Sequence, residues 1–230
     1  MNESRDFLTY LDEWAASLKP ARLDDVASPA ERAALVSVDM VNGFCHEGPL
    51  ASPRVKALIP PIVHLMERAW AAGVRHILLA QDTHESDAVE FSAYPPHCVR
   101  GTPQAEAIPE FKALPFFQHM TIFEKNSIDS SQNTGLPAWI DEHPQVDRYL
   151  VVGDCTDLCI YQMAMHLRLD ANARQLQRRV VVPADCVDTY DLPVSTAREI
   201  GAVPHDGALL HKVFLYHMML NGVEVIASIE

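Results

Sequence analysis

Short apolar, β-branched runs alternate along the chain with longer segments of helical periodicity. This alternation is typical of βαβ units, in which helices connect parallel strands. We predict strands at residues 34–39, 76–82, 120–124, 149–153, 180–183 and 223–227. We predict helices at residues 5–18, 54–72, 136–142, 157–173 and 206–220. The predicted fold class is α/β: a single-domain, doubly wound (Rossmann-like), six-stranded parallel sheet flanked by helices.

Two irregular features interrupt this pattern. Pro60 and Pro61 fall inside the first crossover helix, where neither can donate a helical hydrogen bond, so we expect a bend or a restart there. Residues 85–115 form the one long stretch without periodicity, and irregular segments of that length in compact domains are usually functional.

The amino-acid composition limits the kinds of partner that the protein is expected to bind. The chain has 230 residues, 48% of them apolar, and a formal net charge of −13 without a basic run. Nucleic acids and anionic membranes are bound through clustered Lys and Arg, so we expect a small-molecule partner and neither of these surfaces. The N-terminus is charged and no apolar run reaches about 18 residues, which predicts a cytoplasmic protein.

The odd number of cysteines indicates free thiols rather than a disulfide framework, because a chain of this size can build its own core. They are Cys45, Cys98, Cys155, Cys159 and Cys186.

Reactive side chains follow the predicted strands at their carboxyl ends, where parallel sheets bind ligands. Asp39 ends the first strand, Asp82 and then His84 follow the second, and Lys125 follows the third. After the fourth strand a glycine turn leads to Cys159 at the start of a helix, where unpaired N–H groups and the helix dipole favour a thiolate. A structural salt bridge would explain Asp39 and Lys125 alone, but Asp, Lys and Cys together favour catalysis.

Several separated blocks, in the same order, resemble the isochorismatase-like cysteine hydrolases and, within them, the nicotinamidases. The resemblance runs from about Ala34 to Ser228, and residues 31–230 would form this domain, with residues 1–30 as an N-terminal helical extension. The blocks are residues 38–45 (VDMVNGFC), 82–84 (DTH), 94–102 (YPPHCVRGT), 124–125 (EK) and 153–159 (GDCTDLC).

The resemblance implies a catalytic triad in which Cys159 is the nucleophile, Asp39 the general base and acid, and Lys125 the third member. The backbone N–H groups of Cys155 and Cys159 are the expected oxyanion donors. In the family this turn contains a cis peptide bond, which would lie between Asp154 and Cys155. The Cys155 side chain is interpreted as a small packed residue.

A second group of residues is expected to bind a metal ion. Asp82 and His84 project from one side of an extended strand end, and the proline-fixed loop at residues 95–98 resembles the place where nicotinamidases supply His97. Three protein ligands with open positions indicate a catalytic divalent ion, most simply zinc, with iron and manganese as alternatives.

Phe44 and Tyr94 are the aromatic residues nearest the predicted site. They could belong to the core, but the resemblance implies that they form the walls of a flat substrate slot. The chain has Thr83 where many nicotinamidases have Trp, and Glu85 where they have Pro.

The predicted function is metal-containing hydrolysis of nicotinamide to nicotinate and ammonia, through a thioester, in NAD salvage. Two alternatives remain: a related amidase acting on a carbamoyl, ureido or maleamate amide, and a catalytically silent metal-binding relative. We also expect a homo-oligomer, because the predicted helix at 206–220 has a wide apolar face.

Overall fold

The structure is a computed structural model that describes residues 2–230, and seven parallel strands form its single sheet. The predicted fold class is confirmed, and each predicted strand lies within one residue of an observed one at both ends. The prediction of six strands misses β6, because a two-residue strand is too short to have a hydrophobic pattern. The strands are β1 Ala33–Val38, β2 His76–Asp82, β3 Thr121–Lys125, β4 Arg148–Asp154, β5 Arg179–Pro183, β6 Val187–Asp188 and β7 Glu224–Ile226.

Ten α-helices and five short 3-10 helices connect the strands among the described residues. The predicted helix at 54–72 is divided into α4 and α5, and Pro60 and Pro61 lie in the first turn of α5, where a missing N–H costs little. The α-helices are α1 Asn2–Ser17, α2 Leu23–Ala27, α3 Asn42–Cys45, α4 Pro53–Lys56, α5 Ile59–Ala71, α6 Pro109–Lys112, α7 Leu136–Glu142, α8 Cys159–Ala173, α9 Val194–Ile200 and α10 Gly207–Leu220. The 3-10 helices are Ala30–Arg32, Val89–Ser92, Pro103–Ala105, Phe117–His119 and Ala184–Cys186.

The core lies in two layers, one on each face of the sheet. Along β1, Leu35 packs in one hydrophobic cluster, whereas Val36 and Val38 pack in the other. Helices α2 and α5 cover the first cluster, and α7, α8 and α10 cover the second. Strands buried on both faces explain why their sequences are apolar runs instead of strict alternations.

The strand order β3-β2-β1-β4-β5-β7 places a topological switch point between β1 and β4. From β1 the chain proceeds to β2 and β3 on one side, and it then returns to β4 on the other side. Crossover connections therefore diverge at the carboxyl ends of β1 and β4, which opens a crevice there. Asp39 follows β1 directly, and Asp154 ends β4, so both lie at this crevice.

The N-terminal helix α1 packs against α10, with Leu11 buried. After it, the chain pairs with the last residues, because Ala21 forms a parallel bridge with Ile229. The division into residues 1–30 and 31–230 stays a prediction, and residue 1 lies outside the described part of the chain. Within residues 2–230, no helix has both the length and the apolar composition needed to cross a bilayer.

The close approach of β4 to β1 depends on Gly153, which has a φ of +114° and pairs with Val38. A Cβ atom at Gly153 would lie 2.0 Å from the backbone oxygen of Val38. We expect Gly153→Ala to lower the free energy of unfolding by about 3 kcal/mol or more, through overpacking and a strained φ. Urea unfolding measures this loss.

Gly201 provides the matched control, since its φ is +70° and a Cβ there would meet nothing within 4 Å. Gly201→Ala should cost about 1 kcal/mol, which is the backbone contribution alone. Equal losses for the two variants would show that the contact with Val38 has no weight.

Candidate active site

A cavity of about 310 Å³ opens at the crevice beyond the carboxyl ends of the strands. This volume is at the lower end of the range for small-molecule sites, so it suits a small ligand. Seven of the predicted site residues line it: Asp39, Phe44, Asp82, Tyr94, His97, Cys155 and Cys159. The other two, Lys125 and His84, are fully buried next to lining residues.

A buried lysine connects the two carboxylates at this crevice. The Lys125 Nζ lies 2.8 Å from Asp39 Oδ2 and donates a hydrogen bond to Asp82 Oδ1. The backbone N–H of Asp82 donates to Asp39 Oδ1 over 2.8 Å. Register explains the grouping, because Asp82 pairs with Lys125 across β2 and β3, and β2 also pairs with β1. The salt bridge considered from sequence exists, and it belongs to a larger charged group that faces the cavity.

The charges in this group shift one another's protonation. Burial raises the pKa of Asp39, the Asp82 carboxylate raises it further and Lys125 lowers it, which leaves it at about 6. Burial alone would lower the pKa of Lys125, but Asp39 and Asp82 raise it well above its ordinary value. Burial would raise the pKa of Asp82, yet the positive charge of Lys125 and the nearby imidazoles of His84 and His97 hold it below its ordinary value. Asp39 is therefore a carboxyl that can exchange a proton near neutral pH.

Replacing Lys125 should destabilise the metal-free protein strongly. Lys125→Met leaves the carboxylates of Asp39 and Asp82 buried without a countercharge, so we expect a loss of about 3–5 kcal/mol in the free energy of unfolding. Urea unfolding in the presence of a chelator measures it. The control is Lys112→Met, which removes an ion pair to Glu106 whose two side chains are 41% and 58% exposed. That change should cost less than about 1 kcal/mol, and a similar loss in both variants would rule out the buried group as the cause.

Cys159, the predicted nucleophile, begins helix α8 and lines the cavity. Its Sγ is 3.6 Å from Lys125 Nζ, and the residue is 7% exposed. Burial raises the pKa of Cys159 well above its ordinary value, although the positive charge of Lys125 opposes the shift. Helix position favours the thiolate of Cys159, whereas burial favours its neutral thiol. A neutral thiol needs a base to become a nucleophile. Asp39 is the candidate base, because it and Cys159 both lie next to the Lys125 ammonium.

The turn before α8 has the backbone form that the family resemblance implies. The peptide bond between Asp154 and Cys155 is cis. Among the described residues, neither the N–H of Cys155 nor that of Cys159 donates a hydrogen bond to a backbone or side-chain acceptor. Two free N–H groups beside the Cys159 Sγ form a suitable environment for a developing oxyanion.

The side chains of Asp82, His84 and His97 form a buried cluster whose candidate ligand atoms all lie within 4.8 Å of one another. Asp82 Oδ2 is 3.4 Å from His84 Nε2 and 3.6 Å from His97 Nε2. The His84 Nδ1 bonds Asn126 Oδ1 over 2.9 Å, and the His97 Nδ1 bonds the Pro95 carbonyl oxygen over 2.8 Å.

These contacts fit a metal ion. An Nδ1 that donates to an oxygen leaves Nε2 with a free lone pair, which is the ligand form of histidine. The His84 Nε2 is buried and has no hydrogen-bond partner in the described residues. A divalent ion would give this nitrogen the partner that it lacks, so the donor set matches the predicted metal site.

The predicted substrate walls lie where the cavity meets this cluster. The ring of Phe44 is 5.5 Å from that of His97, and the ring of Tyr94 is 6.3 Å from it. Phe44 is buried and Tyr94 is half-buried, and both line the cavity.

Four further residues lie at the site that were not predicted from the sequence. Glu90 lines the cavity with a carboxylate oxygen 4.0 Å from His84 Nε2, and Phe91 packs edge-on against His84 with ring centres 5.4 Å apart. Tyr190, in the segment after β6, also lines the cavity. Asp154 is buried, and its Oδ1 has no partner within the described residues. Glu90 and Phe91 belong to the long irregular segment at residues 85–115, which the sequence indicates as functional. No sequence pattern indicates Tyr190 or Asp154.

Comparison with known proteins is consistent with this geometry. Residues 33–226 match the family model described as the isochorismatase domain. The chain is 31% identical to Nicotinamidase 1 of Arabidopsis thaliana over 216 aligned residues. The alignment covers 85% of this chain and 86% of that protein. It is 30% identical to the nicotinamidase/pyrazinamidase of Mycobacterium tuberculosis, over 73% of this chain and 93% of that protein. The fold is similar to that of Pyrococcus horikoshii pyrazinamidase in complex with zinc, with a TM-score of 0.64, 21% identity and coverage of 85% and 98% of the two chains.

Proposed function

The chain belongs to the isochorismatase family and is an amide hydrolase, and we propose that it converts nicotinamide to nicotinate and ammonia with Cys159 as nucleophile. The observation that carries this proposal is the grouping of Cys159 and Asp39, which line a small cavity, around the buried Lys125, in a chain that is 30% or more identical to two nicotinamidases.

The first half of the reaction forms a thioester. Asp39, as carboxylate, takes the thiol proton of Cys159, and the sulfur attacks the amide carbonyl carbon. The ammonium of Lys125 lies 3.6 Å from that sulfur and stabilises its negative charge. Asp39 then gives the proton to the amide nitrogen, the C–N bond breaks and ammonia leaves.

The second half restores the enzyme. Asp39 takes a proton from water, the resulting hydroxide attacks the thioester carbonyl, and the C–S bond breaks. Cys159 recovers its proton from Asp39, and the carboxylic acid loses its own proton to water on release, which gives nicotinate. A pKa of about 6 for Asp39 suits a group that must accept and donate a proton in both halves.

Both tetrahedral intermediates carry a negative oxygen. The free N–H groups of Cys155 and Cys159 are the donors that we assign to it. Removing one donor of this kind costs other enzymes about 10²–10³ in kcat.

Asp82, His84 and His97 would hold a divalent ion, with the Glu90 carboxylate next to them. We propose zinc, with iron or manganese as alternatives; the similar Pyrococcus structure contains zinc. When bound, the ion supplies a Lewis acid at the cavity wall that orients a substrate nitrogen or a water. Phe44 and Tyr94 would then hold a flat ring between this wall and Cys159.

The wider setting is also proposed. Nicotinamide hydrolysis would place the enzyme in NAD salvage. The five cysteines are all buried and free, which suits the reducing cytoplasm. A homo-oligomer formed through α10 stays a prediction.

Ammonia release from nicotinamide, pyrazinamide and a set of aliphatic amides tests the substrate assignment. We expect fast release from the two ring amides and little from the aliphatic ones, because the rings of Phe44 and Tyr94 line the cavity and suit a flat ring. Fast release from aliphatic amides alone would move the protein to a sister amidase that acts on carbamoyl, ureido or maleamate compounds. No release from any amide would contradict hydrolysis and favour a silent metal-binding protein.

A further inference from the structure

The turn that carries Cys159 is held by two histidines from the C-terminal part of the chain. The Thr156 Oγ1 is 2.8 Å from His211 Nδ1, and the Asp157 Oδ2 is 2.8 Å from His205 Nε2. Asp157 and His205 are both buried. The reaction described above uses none of these four side chains, so their contacts require another explanation.

His205 also holds the segment that covers the cavity. Its Nδ1 is 2.9 Å from the Tyr190 carbonyl oxygen, and its ring stacks on the Tyr190 ring with centres 3.8 Å apart. Its backbone forms two hydrogen bonds with Leu192, one in each direction. Tyr190 and Leu192 line the cavity, as do Ile200 and Ala202 further along this segment, so residues 190–205 form a loop closed at its neck by His205.

Hydrogen-bond chemistry fixes the direction of these contacts. A carbonyl oxygen only accepts, so the Nδ1 of His205 must donate to Tyr190. The remaining nitrogen faces the Asp157 carboxyl, and one proton shared between them completes the second bond. A planar ring bonded at both nitrogens and stacked on Tyr190 has little freedom to rotate. It therefore connects the covering loop to the nucleophile turn rigidly.

We propose that His205 is a positioning residue, which fixes the Cys159 turn through Asp157 and joins it to the loop that covers the cavity. This inference rests on the proposed amide hydrolysis for its kinetic consequences. Residues 155–159 carry both the sulfur and the two N–H donors, so small displacements of this turn misplace three reacting groups together. Displacements of about 1 Å at such sites can cost 10²-fold in rate.

His205→Phe is the main test, because it keeps an aromatic ring on Tyr190 and the backbone bonds to Leu192 but removes both side-chain hydrogen bonds. We expect kcat to fall by about 10- to 100-fold while KM changes much less, since the cavity walls remain in place. His205→Gln, which can donate an amide N–H to Asp157, should recover part of the lost kcat. Combining His205→Phe with Asp157→Ala should cost no more than the worse single change, as expected for residues that act through one contact.

Hydrogen exchange measures the position of the turn independently of the substrate. Exchange in a peptide spanning residues 155–160 should accelerate in His205→Phe and move back toward the wild-type rate in His205→Gln. A role limited to overall stability would raise exchange throughout the protein and leave kcat per folded molecule unchanged, which overturns the proposal. Unchanged exchange at the turn overturns it as well. If the wild-type protein hydrolysed no amide, the proposed function would fail, yet the exchange result would still decide the role of His205.

Discussion

Cys159→Ala should abolish amide hydrolysis and leave the fold intact. The substitution removes the sulfur that forms the thioester, and no other thiol lies 3.6 Å from the Lys125 Nζ in the described residues. Loss of a nucleophile from a catalytic group of this kind lowers kcat by about 10⁴-fold or more. Ammonia release measures the loss, and circular dichroism with urea unfolding checks the fold. A buried Cys and an Ala are similar in shape, so stability should change by about 1 kcal/mol or less.

Cys186→Ala is the matched control for Cys159. Cys186 is also a buried, free cysteine, but it belongs to the 3-10 helix after β5 and does not line the cavity. Its replacement should leave kcat unchanged. Activity retained in Cys159→Ala, or lost to the same degree in Cys186→Ala, would mean that hydrolysis does not pass through a thioester on Cys159.

His97→Ala should lose bound metal, and with it most of the activity. His97 is one of three candidate ligands, together with Asp82 and His84, so its removal leaves two. Losing even an outer-shell partner commonly lowers metal affinity 10- to 100-fold, so loss of a direct ligand should exceed that. Elemental analysis after dialysis measures the metal-to-protein ratio, and ammonia release is recorded on the same samples.

The control for His97 is His64→Ala, which removes an exposed histidine on α5. Its metal content should equal that of the wild-type protein. If His97→Ala retained a full complement of metal, the ion would be held elsewhere. If it lost the metal and kept full activity, the ion would have no part in hydrolysis.

Most of the fold could be predicted because the apolar positions of the sequence follow clear strand and helix patterns. Doubly buried strands are apolar runs, and the first four of them end in, or are followed within a few residues by, a charged or sulfur-containing group of the site. Asp39, Lys125 and Cys159 therefore lie at the strand ends that the sequence predicts for them. Their mutual distances depend on strand order, and that order follows from packing instead of from any local pattern.

The remaining residues of the site could not be predicted from the sequence, for physical reasons. Glu90 and Tyr190 lie in segments without regular periodicity, whose course depends on tertiary contacts alone. The pair of Asp157 and His205 joins residues 48 apart in the chain, and neither belongs to a spaced motif. Burial, which the sequence does not reveal, raises the pKa of the Cys159 thiol, and the positive charge of Lys125 opposes that shift.

In the proposed reaction, the carbonyl carbon of the amide becomes attached to Cys159 within this cavity. The most direct measurement is acid quenching of the enzyme during nicotinamide turnover, followed by peptide mapping by mass spectrometry. We expect a nicotinoyl group on the peptide that contains Cys159, absent in Cys159→Ala and absent without substrate. Steady formation of nicotinate and ammonia with no acyl group on Cys159, or with the group on another residue, would contradict the mechanism.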